Sequence, residues 1–208
     1  MNRPKLVLEE VMELIKTARA SLEESMAAYV KANRLSQAEA EQYVKQYSKA
    51  YHEPIKVIAI RGYYKNSMGE PDKNDRGIYD DAMVVIGPNY YQTFNANTDP
   101  SRYQKGIGMI LPGWHLYKPG KHGISGPRPY AAFRPASADE SVPGLRDGQF
   151  GIKKIITPNI HSGGEQNVNS AACQTVKKSQ WLEFQPTIYK MLAMEGQKYL
   201  PYLLRENL

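Results

Sequence analysis

The sequence predicts an α+β protein, in which a mainly β domain is preceded by an N-terminal helix pair and closed by a C-terminal helix. Three observations carry this reading. Apolar residues recur at helical spacing only towards the two ends of the chain. Between them, short apolar runs rich in β-branched residues are separated by clusters of Gly, Pro, Asp and Asn. No regular alternation of strand with helix is present, which argues against βαβ units and a parallel sheet. The expected division is a helical region over residues 1–53 and a mainly β domain with its closing helix over residues 54–208.

Taken in order, residues 6–31 place Val7, Val11, Leu14, Ile15, Ala18, Leu22, Met26 and Tyr29 three and four apart, the stripe of an amphipathic helix. The break at NRLS is followed by Ser36 and Glu39, the spacing of a capping box, which starts a second helix reaching about Ala50. From Pro54 the runs IKVIAIRGYY, DDAMVVIG, YYQTFNAN, GIGMILPGWHLY, YAAFRP and FGIKKIITPNI read as strands. Four segments read as turns: GEPDKNDRG, NTDPSRYQKG, KPGKHGISGPRP and SADESVPGLRDG. Trp181, Leu182, Phe184, Ile188, Met191 and Leu192 give residues 178–204 a closing helix, weakened at its far end by Gly196 and Pro201.

The chain has 208 residues, 41% hydrophobic and 23% charged, enough for a real core and too apolar for disorder. Its formal charge is +6, and residues 61–208 carry 18 Lys/Arg against 13 Asp/Glu. Such a surface favours anionic partners in general. The basic residues form no dense run, so specific nucleic-acid binding is not expected. No apolar run approaches a membrane span, so membrane insertion is not expected either. MNRPKLVLEE turns acidic before any apolar signal segment forms. The expectation is therefore synthesis in the cytoplasm, with any release to the cell wall or periplasm left to another system. The sequence leaves the oligomeric state open.

A single cysteine, Cys173, excludes an internal disulfide and cysteine-rich zinc sites. It follows His161 by twelve positions, in NIHSGGEQNVNSAACQTV. An apolar strand delivers His161, a glycine-containing polar loop follows, and SAAC brings small residues to the thiol. Small neighbours admit a bulky carbonyl and leave backbone N–H groups free as oxyanion donors, here those of Cys173 and Ala172. A histidine is the natural proton acceptor for a thiol. Asn159 and Ser170 are side chains that could orient it, as could a backbone carbonyl. A metal reading would need His161, Cys173 and an acid such as Glu165, at spacings that match no familiar zinc pattern. No metal and no cofactor is expected.

The pair His161–Gly163, the loop, and Ser170 with Cys173 resemble the active-site signature of the L,D-transpeptidase catalytic domain. That family has a histidine closely followed by glycine, then a Ser/Thr-x-Gly-Cys type motif. Ala172 stands where glycine is usual, and Ala171 where histidine is frequent. Gln174 and Thr175 replace the usual apolar residue and arginine or asparagine. The resemblance spans roughly residues 78–185, including GIGMILPGWHLYKPGKHG at 106–123, and leaves out the N-terminal helices. It implies a mostly β fold, peptidoglycan peptide stems as substrate, and an acyl-enzyme on the cysteine that passes to an amine or to water. A phage lysis protein or an injected effector would fit such an enzyme without an export signal. The alternative is a non-catalytic cell-wall-binding or virion structural protein.

Five residues are expected to meet substrate. His122 and Lys121, with Arg128, would rim the cleft and face stem carboxylates. Arg134 offers a planar two-pronged match to a carboxylate. Tyr117, with Trp114, would wall the groove, and Gln174 follows the nucleophile. The acids of DKNDRGIYDDAM, among them Asp80 and Asp81, are read as belonging to a turn.

Overall fold

The computed structural model describes residues 2–207. Three helices open the chain: α1 (Leu8–Lys16), α2 (Ala18–Lys31) and α3 (Gln37–Tyr47). The expected first helix is thus two, interrupted at Thr17, whose ψ of 7° falls outside the helical range. Asn33, with φ 54°, turns the chain, and the capping box of α3 forms: Ser36 Oγ accepts from the Glu39 N–H while the Glu39 carboxylate accepts from the Ser36 N–H. Eleven strands follow or flank one further helix. They are β1 (Lys56–Arg61), β2 (Asp81–Gly87), β3 (Tyr90–Asn97), β4 (Gly108–Ile110), β5 (Gly113–His122), β6 (Tyr130–Pro135) and β7 (Ser141–Arg146). Then come β8 (Lys153–Ile156), β9 (Ile160–Ser162), β10 (Gln174–Val176), the helix α4 (Lys178–Met194) and β11 (Leu200–Glu206).

Eight strands close a barrel in the order β1-β11-β5-β6-β9-β10-β3-β2, and β4-β7-β8 form a separate small sheet. The runs read as strands are strands, two of them split. Three strands were not anticipated. SVPGLR (β7) lies inside a stretch read as a turn, and QTV (β10) is too short to show periodicity. LPYLLRE (β11) reads in the sequence as the end of the closing helix. A strand, and not a helix, therefore closes the chain. The physical reason is visible at Gly196, which takes φ 61° just past α4, with Gln197 N–H returning to Leu192 O and Gly196 N–H to Ala193 O. That is a glycine stop, which releases the chain to run parallel to β1 from Tyr202↔Val57 to Glu206↔Arg61.

The core has an inside and an outside layer. Val57 and Ala59 of β1 and Met83 and Val85 of β2 face inwards, where Trp181, Phe184, Ile188 and Leu192 of α4 join Phe94, Phe133, Tyr117 and Tyr202. Ile58 and Val84 point the other way, into a cluster with Val11, Ala18, Trp114 and Leu203. Both faces of these strands are covered, so their sequences read as continuous apolar runs without alternation. α2 and α3 contribute Leu22, Met26, Tyr43 and Val44 to a third cluster with Met109, Leu111 and Leu145 of the small sheet region. The reading of DD as turn residues needs correction: Asp80 and Asp81 are fully buried. Asp81 accepts from Gly62 N–H and from the Thr98 N–H and hydroxyl, which ties the start of β2 to its neighbours.

Candidate active site

β9 and β10 pair in parallel, Gln174↔Ile160 and Thr175↔His161, joined by the loop that carries SGGEQNVNSAAC. Gln174 N–H donates to Asn159 O, so Cys173 sits level with Asn159. Side chains alternate along a strand, which puts Asn159, His161 and Cys173 on one face. Gly163 is required by packing: a Cβ there would lie 2.2 Å from the Tyr79 hydroxyl, which donates to the Gly164 and Asn167 carbonyls and pins the loop. The β5–β6 hairpin reaches over the same face, pairing His122 with Tyr130.

The thiol of Cys173 and one ring nitrogen from each of His161 and His122 lie within 4.8 Å of one another. The two imidazoles stack with centroids 3.9 Å apart and planes 19° off parallel. His161 Nδ1 lies 2.7 Å from the Ser162 carbonyl and 2.9 Å from the Tyr130 hydroxyl. A carbonyl accepts only, so Nδ1 carries the proton, and the Tyr130 hydroxyl donates in turn to the same carbonyl. The lone pair is thereby left on Nε2, which is buried and has no hydrogen-bond partner among the described residues.

Burial sets the protonation states. Desolvation, with help from neighbouring His122, pushes His161 down to about 4. Desolvation pushes the Cys173 thiol up to about 11. His122 is lowered by burial and by Arg134. At neutral pH the pair is a thiol beside a neutral imidazole, not a resting thiolate–imidazolium pair.

The loop before β10 is held by its carbonyls. Ser170 Oγ donates to Cys173 O (2.7 Å), and Gln174 Nε2 donates to Ala172 O (3.3 Å) while Gln174 Oε1 accepts from the Tyr202 hydroxyl. In a trans peptide the N–H opposes the C=O. Anchoring the Ala172 carbonyl inwards therefore turns the Cys173 N–H the other way, and it meets no acceptor among the described residues.

Several expected roles are corrected by this geometry. Asn159 donates to His122 Nδ1 (3.1 Å) and Ser170 to a carbonyl, so neither orients His161; Ser162 O and Tyr130 do. Tyr117 is fully buried and donates to Pro158 O, so it is core and not a groove wall. Trp114 is buried in the outer cluster, against the helices. Gln174 is fully buried and holds the loop. The Arg134 guanidinium is taken up by Glu140 and by the Lys121 carbonyl, and Lys121 itself is exposed on β5. His122 is not a rim cation but part of the cluster. Glu165 pairs with Lys177 and with Ser179 at the start of α4. Tyr130, at a hairpin end, carries no local signal in a chain with fifteen tyrosines.

A groove of about 600 Å³ lies between Tyr130, Ser162, Gly163 and the first turns of α4 with Trp181 and Leu182, and neither His161 nor Cys173 lines it. Among the described residues, Lys178 is the one charged residue lining it. No helix among the described residues is long and apolar enough to cross a membrane. Compared with known protein families, curated proteins and solved structures, the chain matches none.

Proposed function

We propose that this protein is a cysteine-dependent acyl-transfer or hydrolytic enzyme acting on the peptide stems of peptidoglycan. The observation that carries the reading is the Cys173 thiol within 4.8 Å of a His161 ring nitrogen, with the His161 tautomer fixed by Ser162 O and its Nε2 left without a hydrogen-bond partner among the described residues. In attack, His161 Nε2 takes the thiol proton as Cys173 Sγ bonds to a stem carbonyl carbon. The oxyanion rests on the Cys173 N–H. The imidazolium returns its proton to the leaving amine as the C–N bond breaks, leaving a thioester. Water or an acceptor amine then resolves it, with His161 again as base. Because both groups start neutral, proton transfer accompanies attack, and no resting ion pair is required.

The stem is assigned to the groove bounded by Tyr130 and Ser162, the hydrogen-bond neighbours of His161, where Lys178 would meet a carboxylate. The resemblance of the His161 and Cys173 segments to L,D-transpeptidases supports peptidoglycan as the polymer, and the basic surface supports an anionic wall. One observation favours the alternative of a non-catalytic wall-binding protein: burial keeps the thiol protonated. Mass spectrometry of purified sacculi incubated with wild type and Cys173→Ala decides between them. New or exchanged stem fragments that depend on Cys173 are expected. Unchanged muropeptides with retained binding would establish the alternative, and glycan cleavage with intact stems would refute the amide chemistry.

A further inference from the structure

The proposed acyl transfer uses one histidine, yet two converge on the sulfur. A thiol and two imidazoles are three of the four donors of a zinc site whose fourth position water would fill. We propose that Cys173, His161 and His122 together bind one zinc ion, which caps the sulfur and holds the nucleophile off. The ligand atoms already lie within 4.8 Å of one another. Tetrahedral zinc at about 2.0–2.3 Å from each ligand needs them about 3.3–3.6 Å apart. Stacked rings send their lone pairs in parallel, so one ring must turn. His122, half-buried at the end of the β5–β6 hairpin, is the one free to do so.

The surroundings of both histidines suit a metal. A ligating imidazole donates its other N–H to a carbonyl or similar acceptor, which fixes the coordinating nitrogen. His161 Nδ1–H already does so at Ser162 O, leaving Nε2 buried and unpartnered. His122 has Asn159 at Nδ1, and the Asn159 Oδ1 is buried without a partner. Rotating that amide lets Oδ1 accept Nδ1–H, which frees His122 Nε2 for the ion. On binding, the S–H bond breaks, a sulfur–zinc bond forms and the proton leaves to solvent. No electron is transferred. The catalytic scheme is not needed for this inference, since binding and masking of the sulfur are measured without substrate.

The test uses the full chain, stripped with chelator and titrated with zinc alone by equilibrium dialysis. One zinc per chain is expected, with at least tenfold weaker binding in Cys173→Ala and in His122→Ala. Circular dichroism checks that both variants are folded. Cobalt(II) in place of zinc should show a sulfur-to-metal charge-transfer band that Cys173→Ala removes. Zinc should slow alkylation of Cys173 by iodoacetamide, and chelator should restore it. Binding that is indifferent to Cys173, or no binding at micromolar zinc, would overturn the proposal. Stem turnover that requires zinc would overturn the capping role. Zinc binding in a protein that never cleaves stems would instead count against the enzyme reading and leave the site standing.

Discussion

At the scale of single residues, the candidate site rests on Cys173, His161 and the groups that hold them. Among the described residues the thiol makes one long hydrogen bond, to Thr157 O at 3.8 Å, so its removal costs the fold little. Cys173→Ala is expected to retain its unfolding midpoint while stem turnover falls at least about 10³-fold, as loss of a nucleophile does. A folded variant with full turnover would end the nucleophile scheme. Tyr130→Phe removes a hydroxyl that braces the His161 ring. The cost is about 1–2 kcal/mol of barrier, or about 5- to 30-fold in kcat, with KM nearly unchanged. An unchanged kcat would show that Ser162 O alone sets the ring. Lys178 faces the groove, so Lys178→Ala should slow free-acid stems more than amidated ones. Arg134→Ala should affect both alike, because that guanidinium already serves Glu140. Equal losses at Lys178 on both substrates would remove it as the carboxylate contact.

Among the elements, β5 carries the clearest titratable liability. His115 is 4% exposed, donates to Leu111 O at 2.8 Å, and is pushed by burial down to about 4. Between its ordinary value near 6.5 and about 4 the unfolded chain binds a proton that the folded one refuses. Stability contributed by neutral His115 is therefore intact above about pH 6.5 and lost as pH falls towards 4. The loss approaches about 3 kcal/mol. Urea unfolding of wild type and His115→Gln at about pH 7.5 and 4.5 isolates it. Wild type should lose about 2–3 kcal/mol more than the variant, and parallel losses would exclude His115. β9 and β10 show the other limit of an element's information. Each is three residues long, yet their parallel register alone sets His161 and Cys173 on one face.

Over the whole molecule, the N-terminal helices cover what the barrel leaves open. Val11 and Ala18 seal Ile58, Val84, Trp114 and Leu203, and α2–α3 seal Met109, Leu111 and Leu145. A chain of residues 54–208 would expose both apolar faces. It is expected to aggregate or unfold without cooperativity, as measured by denaturant titration and light scattering. A monomeric fragment with a sharp transition would show the helices to be a separable module. The candidate site is on the face formed by β9, β10 and the β5–β6 hairpin, and among the described residues none of its groups comes from the N-terminal helices.

The sequence by itself determined the α+β class, the capping box at Ser36 and six of the strand-bearing runs, and it singled out Cys173 and His161, which the fold brings within 4.8 Å. These are local matters of periodicity, cap chemistry, and a short loop with small residues. What it could not determine was set by partners distant in the chain. β11 reads as helix until Gly196 stops α4 and β1 offers its edge. Tyr117 and Gln174 read as surface until the barrel closes around them. Arg134 reads as a free cation until Glu140 meets it. His122, 39 positions before His161, joined the site only because β6 pairs with β9 and brings the β5–β6 hairpin alongside it. Burial then decided protonation: desolvation holds the thiol protonated and the imidazole neutral, and no sequence pattern encodes how much water a fold excludes.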